Sequence, residues 1–253
     1  MSTKLNSVDI VGSFFASSHG TDCVVTKYTN SQKVTVRFLD SYEYEGVFPI
    51  FALRKSKVPN PYDKTVCGVG CLGEGIYKAY VNRKPTLEYK VWASILRRCY
   101  SEKFLVKNPT YRGCAVHPEW HNFQNFADWY VNNESYGLGY ELDKDLLVIG
   151  NKVYGSSTCC LAPKQLNLLF NKESVKVSKY PLGVVFDKTT GLYKAGVSRY
   201  GKFEGLGYFK SAEEASKAYN HQKDLHVKEV TKYWEGKVCK DVLESINNWR
   251  KRN

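Results

Sequence analysis

The chain has 253 residues, 43% hydrophobic and 14% aromatic, with a formal charge of +12 at pH 7. That apolar content excludes disorder as the main state, and no apolar run approaches the roughly 18 residues of a membrane span. The positive excess favours a polyanion through counterion release, which makes double-stranded DNA the expected partner and a basic protein without one the alternative.

The N-terminus "MSTKLNSVDIV" lacks the apolar core of a signal peptide, so a soluble, cytoplasmic protein is expected. Eight cysteines scattered along the chain are too sparse for a disulfide framework, and the nearest approaches to a zinc-ligand pair, Cys67 with Cys71 and Cys159 with Cys160, make a weak zinc signal. Reduced thiols follow.

Residues 1–66 read as a small β domain, barrel-like and resembling Tudor domains in pattern. "CVVTKY" and "KVTVRFLD" are β-rich, with a turn at Asn30-Ser31. A docking module for a protein partner suits it better than a ligand site. Next, "CGVGCLGEG" concentrates glycine over Cys67 to Gly75. Glycine there could let backbone N–H groups approach a phosphate, but the Lys-Ser/Thr ending of a P-loop is absent, so 67–86 reads as a linker.

From Leu87 the periodicity becomes helical, with Val91, Ile95 and Cys99 on one face, Trp92 and Leu96 beside them, and Arg97-Arg98 at the edge. A second helical stretch carries Trp120, Phe123, Phe126, Ala127 and Tyr130 as core, with His117 and His121 at its start as capping or surface residues. The short segment "YELDKDLL" follows, then a loop to "CCLAPKQLN". Over 176–235, three short strands break at Thr190-Gly191 and Tyr200-Gly201. They lead into a helix over Ser211 to Glu229, opened by the capping box Ser211-x-x-Glu214. Residues 236–253 form an amphipathic helix with a basic tail, carrying Val238, Val242, Ile246 and Trp249.

Two of these segments resemble known families. The middle one, 87–175, is similar to phage HNH endonuclease-like proteins through Trp92, Arg98-Cys99-Tyr100, Val116, Trp120, Phe123, Phe126, Asp143, Tyr154, Cys159 and Asn167. The third resembles the ethylene-response-factor (Apetala-type) DNA-binding domain through Gly183-Val184, "YKAGV", "LGYF" and Glu213-Glu214-Ala215 to Ala218-Tyr219. Such a domain commonly follows the HNH-like one in phage proteins. The resemblance implies an α+β, multidomain chain: a small β domain, a ββα-containing HNH-like domain, and a three-stranded sheet with one helix. It also implies a host-cell cytoplasmic location if the chain is phage-encoded.

The HNH resemblance further implies a hairpin and helix around magnesium or another divalent cation, with a histidine base at the end of the first strand. Here that position falls on Lys144, the central asparagine position on Thr158 or a neighbour, and the last on Asn167. Asp143, Lys144 and Asn167 are thus the candidate catalytic residues, and Asp143 and Asp145 the candidate metal ligands. A lysine between two aspartates is held in its charged form and cannot take a proton from water. Three readings stay open: a metal-dependent nicking or cleaving enzyme, a DNA-binding or phage accessory protein that keeps the scaffold without the chemistry, or an interaction protein whose N-terminal β domain binds a partner and whose basic regions are incidental.

In the third domain the outer sheet face is expected to meet DNA, with Ala195 and Val197 toward the helix and Lys194, Gly196 and Ser198 outward. Lys188, Lys194, Ser198, Arg199 and Lys202, with Arg97 and Arg98 of the middle domain, are the candidate DNA contacts. They suit phosphates more than base edges.

Overall fold

The computed structural model describes residues 10–148, 150–166 and 179–248. The chain is mixed α/β with several small sheets. It divides into two compact units: Met1–Asn132 with Val153–Gly155, and Asn133–Lys152 with Ser156–Asn253. The segment 87–175, expected as one domain, contributes to both.

In the first unit, β1 (Phe14–Ala16), β2 (Asp22–Asn30), β3 (Lys33–Phe38) and β4 (Glu45–Phe48) form an antiparallel sheet in that order. Alternation puts Cys23 and Val25 of β2 and Val34, Val36 and Phe38 of β3 on one buried face. Helix α1 (Ile50–Arg54) adds Ala52 and Leu53 to it, and Ile10 and Val58 complete the cluster. The barrel-like expectation needs correction. The described strands run linearly from β1 to β4 without closing, because both edge strands are short and the open face is covered by α1 and Val58 instead.

The β2–β3 turn lies at Ser31-Gln32, one residue beyond the expected place. Asn30 Oδ1 accepts from the backbone N–H of Gln32 at 2.9 Å and of Lys33 at 3.1 Å. Buried Asp63 ties the outgoing segment back to the sheet: it accepts from Ser17 Oγ at 2.8 Å and Thr21 Oγ1 at 2.5 Å. Buried and paired, it fixes where that segment leaves.

Glycines in the Cys67–Gly75 segment serve close packing. Cys71 N–H donates to His121 O and Phe123 N–H donates to Cys71 O, both at 2.9 Å, so the segment runs beside the start of a helix. A Cβ on Gly70 would lie 2.9 Å from Trp92 Cζ2 and against Leu96, and one on Gly73 would meet Asn122. Gln124 completes the attachment, with Nε2 donating to Leu72 O and Tyr77 O while Oε1 accepts from Tyr77 N–H. What reads as a linker is a strap on the helical part of this unit.

The strap leads through the hairpin of β5 (Tyr80–Val81) and β6 (Lys84–Pro85) to α2 (Leu87–Tyr100), N-capped by Thr86. Helices α3 (Glu102–Lys107) and α4 (Phe123–Val131) follow, with β7 (Ala115–Val116) between them. Trp92, Ile95 and Leu96 of α2 are buried, as are Trp120 and Phe123, Phe126, Ala127 and Tyr130 of α4. Trp92 Nε1 donates to Trp120 O at 2.7 Å, which satisfies the one polar atom that this large side chain takes out of water.

In the second unit, β8 (Glu141–Asp143) pairs antiparallel with β10 (Cys160–Ala162). Between them in sequence, β9 (Val153–Tyr154) belongs to the first unit, where it pairs parallel with β7. Strands β11 (Val184–Asp187), β12 (Leu192–Arg199) and β13 (Lys202–Phe209) make a second antiparallel sheet.

Helix α5 (Ala212–Trp234) opens on Ser211, whose Oγ accepts from Glu214 N–H at 3.1 Å. It runs five residues past the expected end at Glu229, and the extension has a purpose. Its first half packs Ala215 with Val184 and Ala195 of the three-stranded sheet. Its second half joins Val227 and Val230 to Leu146, Cys160, Ala162 and Leu166 around the β8–β10 hairpin. Val242 and Ile246 of α6 (Lys240–Asn247) close the same cluster. Burying each such side chain stabilises by about 1.5–3 kcal/mol, so α5 and α6 are part of the hairpin's core. No helix among the described residues is long and apolar enough to cross a membrane.

Candidate functional site

Strand β8 ends at Asp143, opposite Cys160 of the wholly buried β10. The Asp143 carboxylate folds forward over its own turn. Oδ1 accepts from the N–H of Asp145 at 2.7 Å and of Leu146 at 2.6 Å. Burial pushes this carboxyl above the usual carboxylate range, and the two N–H groups pull it back only in part. Asp143 therefore shapes the turn that presents the next two residues.

Lys144 points inward and is 8% exposed. Its Nζ donates to both carboxylate oxygens of Asp145 at 2.7 Å and to Asn151 O at 3.0 Å. Asn151 Nδ2 in turn donates to Lys144 O at 2.8 Å, locking the two ends of the loop together. An ammonium has three hydrogens and no lone pair, so toward these acceptors it can only donate. At the position where the resemblance implies a base, the side chain is a donor.

The same bonds bear on the implied cation. A divalent ion needs several oxygen donors in a fixed arrangement. Asp145 turns both oxygens to Lys144, so the ammonium supplies the positive charge that a metal would bring. Among the described residues no group of three or more His, Cys, Asp or Glu side chains is placed to hold a metal. Among the described residues Asp143 Oδ1 and both Asp145 oxygens are engaged in these bonds. Asn167, the last expected member, lies outside the described residues.

The expected DNA contacts separate into engaged and exposed side chains. Arg98, in the first unit, is half-buried; it lies 5.8 Å over the Tyr111 ring and hydrogen-bonds the buried Tyr154 hydroxyl. Arg97 is exposed, its guanidinium 5.3 Å over Phe104. In the second unit, Arg199 shares the helix-facing side with Val197; Glu229 of α5 and Glu204 of β13 meet its charge. Lys188, Lys194, Ser198 and Lys202 are exposed.

Gly196 also faces outward but is covered. It is buried because the Phe203 ring lies over it; a Cβ there would fall 2.6 Å from Phe203 Cε2. A bulge between Ala195 and Gly196 alters the register at that point. Lys194 sits beside Tyr208, with Nζ 5.8 Å from the ring centroid.

Sequence reasoning missed the Glu229 and Asn151 partners, which lie 30 and seven residues from Arg199 and Lys144. The first could have been suspected, since alternation places Arg199 on the side of Val197. His117 and His121 belong to the first unit. His117 Nδ1 is 3.6 Å from Glu119, and His121 Nε2 is 3.2 Å from the Tyr100 hydroxyl.

No family model, curated protein or solved structure matches the chain. The reading of the site therefore rests on its own geometry.

Proposed function

We propose that the chain is a DNA-binding protein of the phage HNH endonuclease type whose hairpin has lost the general base. The observation that carries this is the Lys144 ammonium, bonded to both oxygens of Asp145 and to Asn151 O at the place of the implied histidine. Under this reading Asp143 holds the turn and Lys144 and Asn151 hold the loop. Exposed Lys188, Lys194 and Lys202, with the +12 overall charge, supply attraction to phosphates. The β1–β4 unit serves as a docking module for a protein partner.

A second reading, metal-dependent nicking, is favoured by the two carboxylates at the end of β8. It requires Asp145 to leave Lys144 and take up a cation such as magnesium, with Asn167 on the following segment.

Mobility shift of supercoiled plasmid in EDTA tests the first reading's binding half. Retarded plasmid whose retardation fades steeply as salt rises is the expected result. Unaltered migration at low salt would overturn it.

A further inference from the structure

The outer face of the β11–β13 sheet is poorly suited to reading base edges. Positions facing out by register, such as Val185, Lys194, Ser198 and Tyr208, include none of the Arg, Asn or Gln side chains that bond bases bidentately. Instead the face exposes apolar and aromatic surface: Val185 is 65% exposed, Phe203 67% and Tyr208 49%.

Phe203 is held in a particular way. Gly196 lacks the Cβ that would meet the ring, so the ring lies against the strand with its other side open. Phe203 pairs with Ser198 and Tyr208 with Lys194, which separates the two aromatic positions by four residues of β12, about 13 Å. The Phe203 ring leans over Gly196, toward the Tyr208 end of the face.

Charge on this face favours an anion. Lys194 stands beside Tyr208, and exposed Lys210 directly follows β13. Of the nearby carboxylates, Glu204 is engaged with Arg199 on the helix side, Asp187 accepts from the Thr189 N–H of its own turn at 2.8 Å, and Glu214 accepts from the Lys210 N–H at 3.3 Å. Aromatic faces interleaved with lysines form a surface for stacked, unpaired bases and their phosphates.

We propose that this face binds single-stranded DNA, with bases stacked on Phe203 and Tyr208 and phosphates held by Lys194 and Lys210. The proposal rests on the DNA-binding reading above and names the form of DNA that this sheet takes. A region of opened duplex would present the same chemistry.

Fluorescence anisotropy of the full chain with an oligo-dT strand and with a duplex of equal length tests it. Phe203→Ala and Tyr208→Ala should each weaken binding of the single strand about tenfold, duplex affinity changing less than twofold. Phe203→Trp should restore the single-strand affinity, which separates stacking from any loss of fold. Unchanged single-strand binding in both alanine variants, or equal losses for both DNA forms, would overturn the proposal. A parent chain that binds duplex but not oligo-dT overturns it alone; one that binds neither overturns the DNA-binding reading as well.

Discussion

Lys144 and Asp145, adjacent in sequence, are joined by two hydrogen bonds of 2.7 Å from one ammonium to one carboxylate. The lysine side chain is 10% exposed and the aspartate 56%, so the pair sits at the edge of the hairpin core with the cation on the inner side. Removing the cation leaves Asn151 O without this donor. Lys144→Met should therefore lower stability by about 1–2 kcal/mol, a figure held down by the exposure of Asp145. Urea unfolding checks this, and a midpoint equal to the parent's would show that the pair stabilises nothing.

Gly70 is expected to resist substitution. Ala at this position would place Cβ 2.9 Å from Trp92 Cζ2, an indole that is fully buried and cannot withdraw. Gly70→Ala should cost about 1–3 kcal/mol through overpacking, read from the thermal unfolding midpoint. A phosphate-cradling role predicts instead a loss of anion binding with stability unchanged.

These two sites mark how far the sequence could be read. The apolar periods of 87–99 and 120–130 identify helices and core because burial follows spacing directly, and Ser211-x-x-Glu214 marks the start of α5 because a cap is a local interaction. Aspartates on either side of Lys144 signal a charged turn, but nothing local points to Asn151. The glycine run was ambiguous for a related reason: glycine permits close approach of backbone to anything, and only the fold shows that here the neighbour is Trp92. The extended α5 was missed because Val227 and Val230 serve a hairpin some seventy residues earlier. Sheet closure, too, depends on edge pairing, which strand propensity does not report.

His226 gives the second unit a pH dependence. It is 4% exposed, its Nδ1 has no hydrogen-bond partner among the described residues, and the Tyr200 ring lies 5.0 Å away. Burial first, then the positive charges of Lys223 and Arg199, lower its pKa below the ordinary imidazole value; Glu229 and Glu204 oppose this in part. The unfolded chain therefore takes up a proton first as pH falls. The contribution is present above about pH 6.5 and is lost as pH drops through and below that value. Melting temperature measured from pH 7.5 to 5.5 should fall in the parent and fall less in His226→Leu. Parallel curves would place the pH dependence elsewhere.

Arg199 and Lys194 should behave oppositely although both are basic and lie on one strand. Arg199 is tied to Glu229 and Glu204, so Arg199→Ala should reduce stability and leave duplex affinity within about twofold. Lys194→Ala should leave stability unchanged, weaken binding, and reduce the magnitude of the salt slope by about one. Anisotropy titrations across a salt series, paired with unfolding curves, separate the two; the reverse pattern would mean that Arg199 leaves its carboxylates to meet DNA.

The most direct measurement compares nicking of supercoiled plasmid by the parent, Lys144→His and Lys144→Ala in magnesium or manganese, each against an EDTA control. The account predicts that the parent and Lys144→Ala show no nicking above the control, while Lys144→His, which supplies a base and releases Asp145, shows metal-dependent nicking. Robust nicking by the parent that Lys144→Ala abolishes would contradict it, because the lysine would then take part in the reaction.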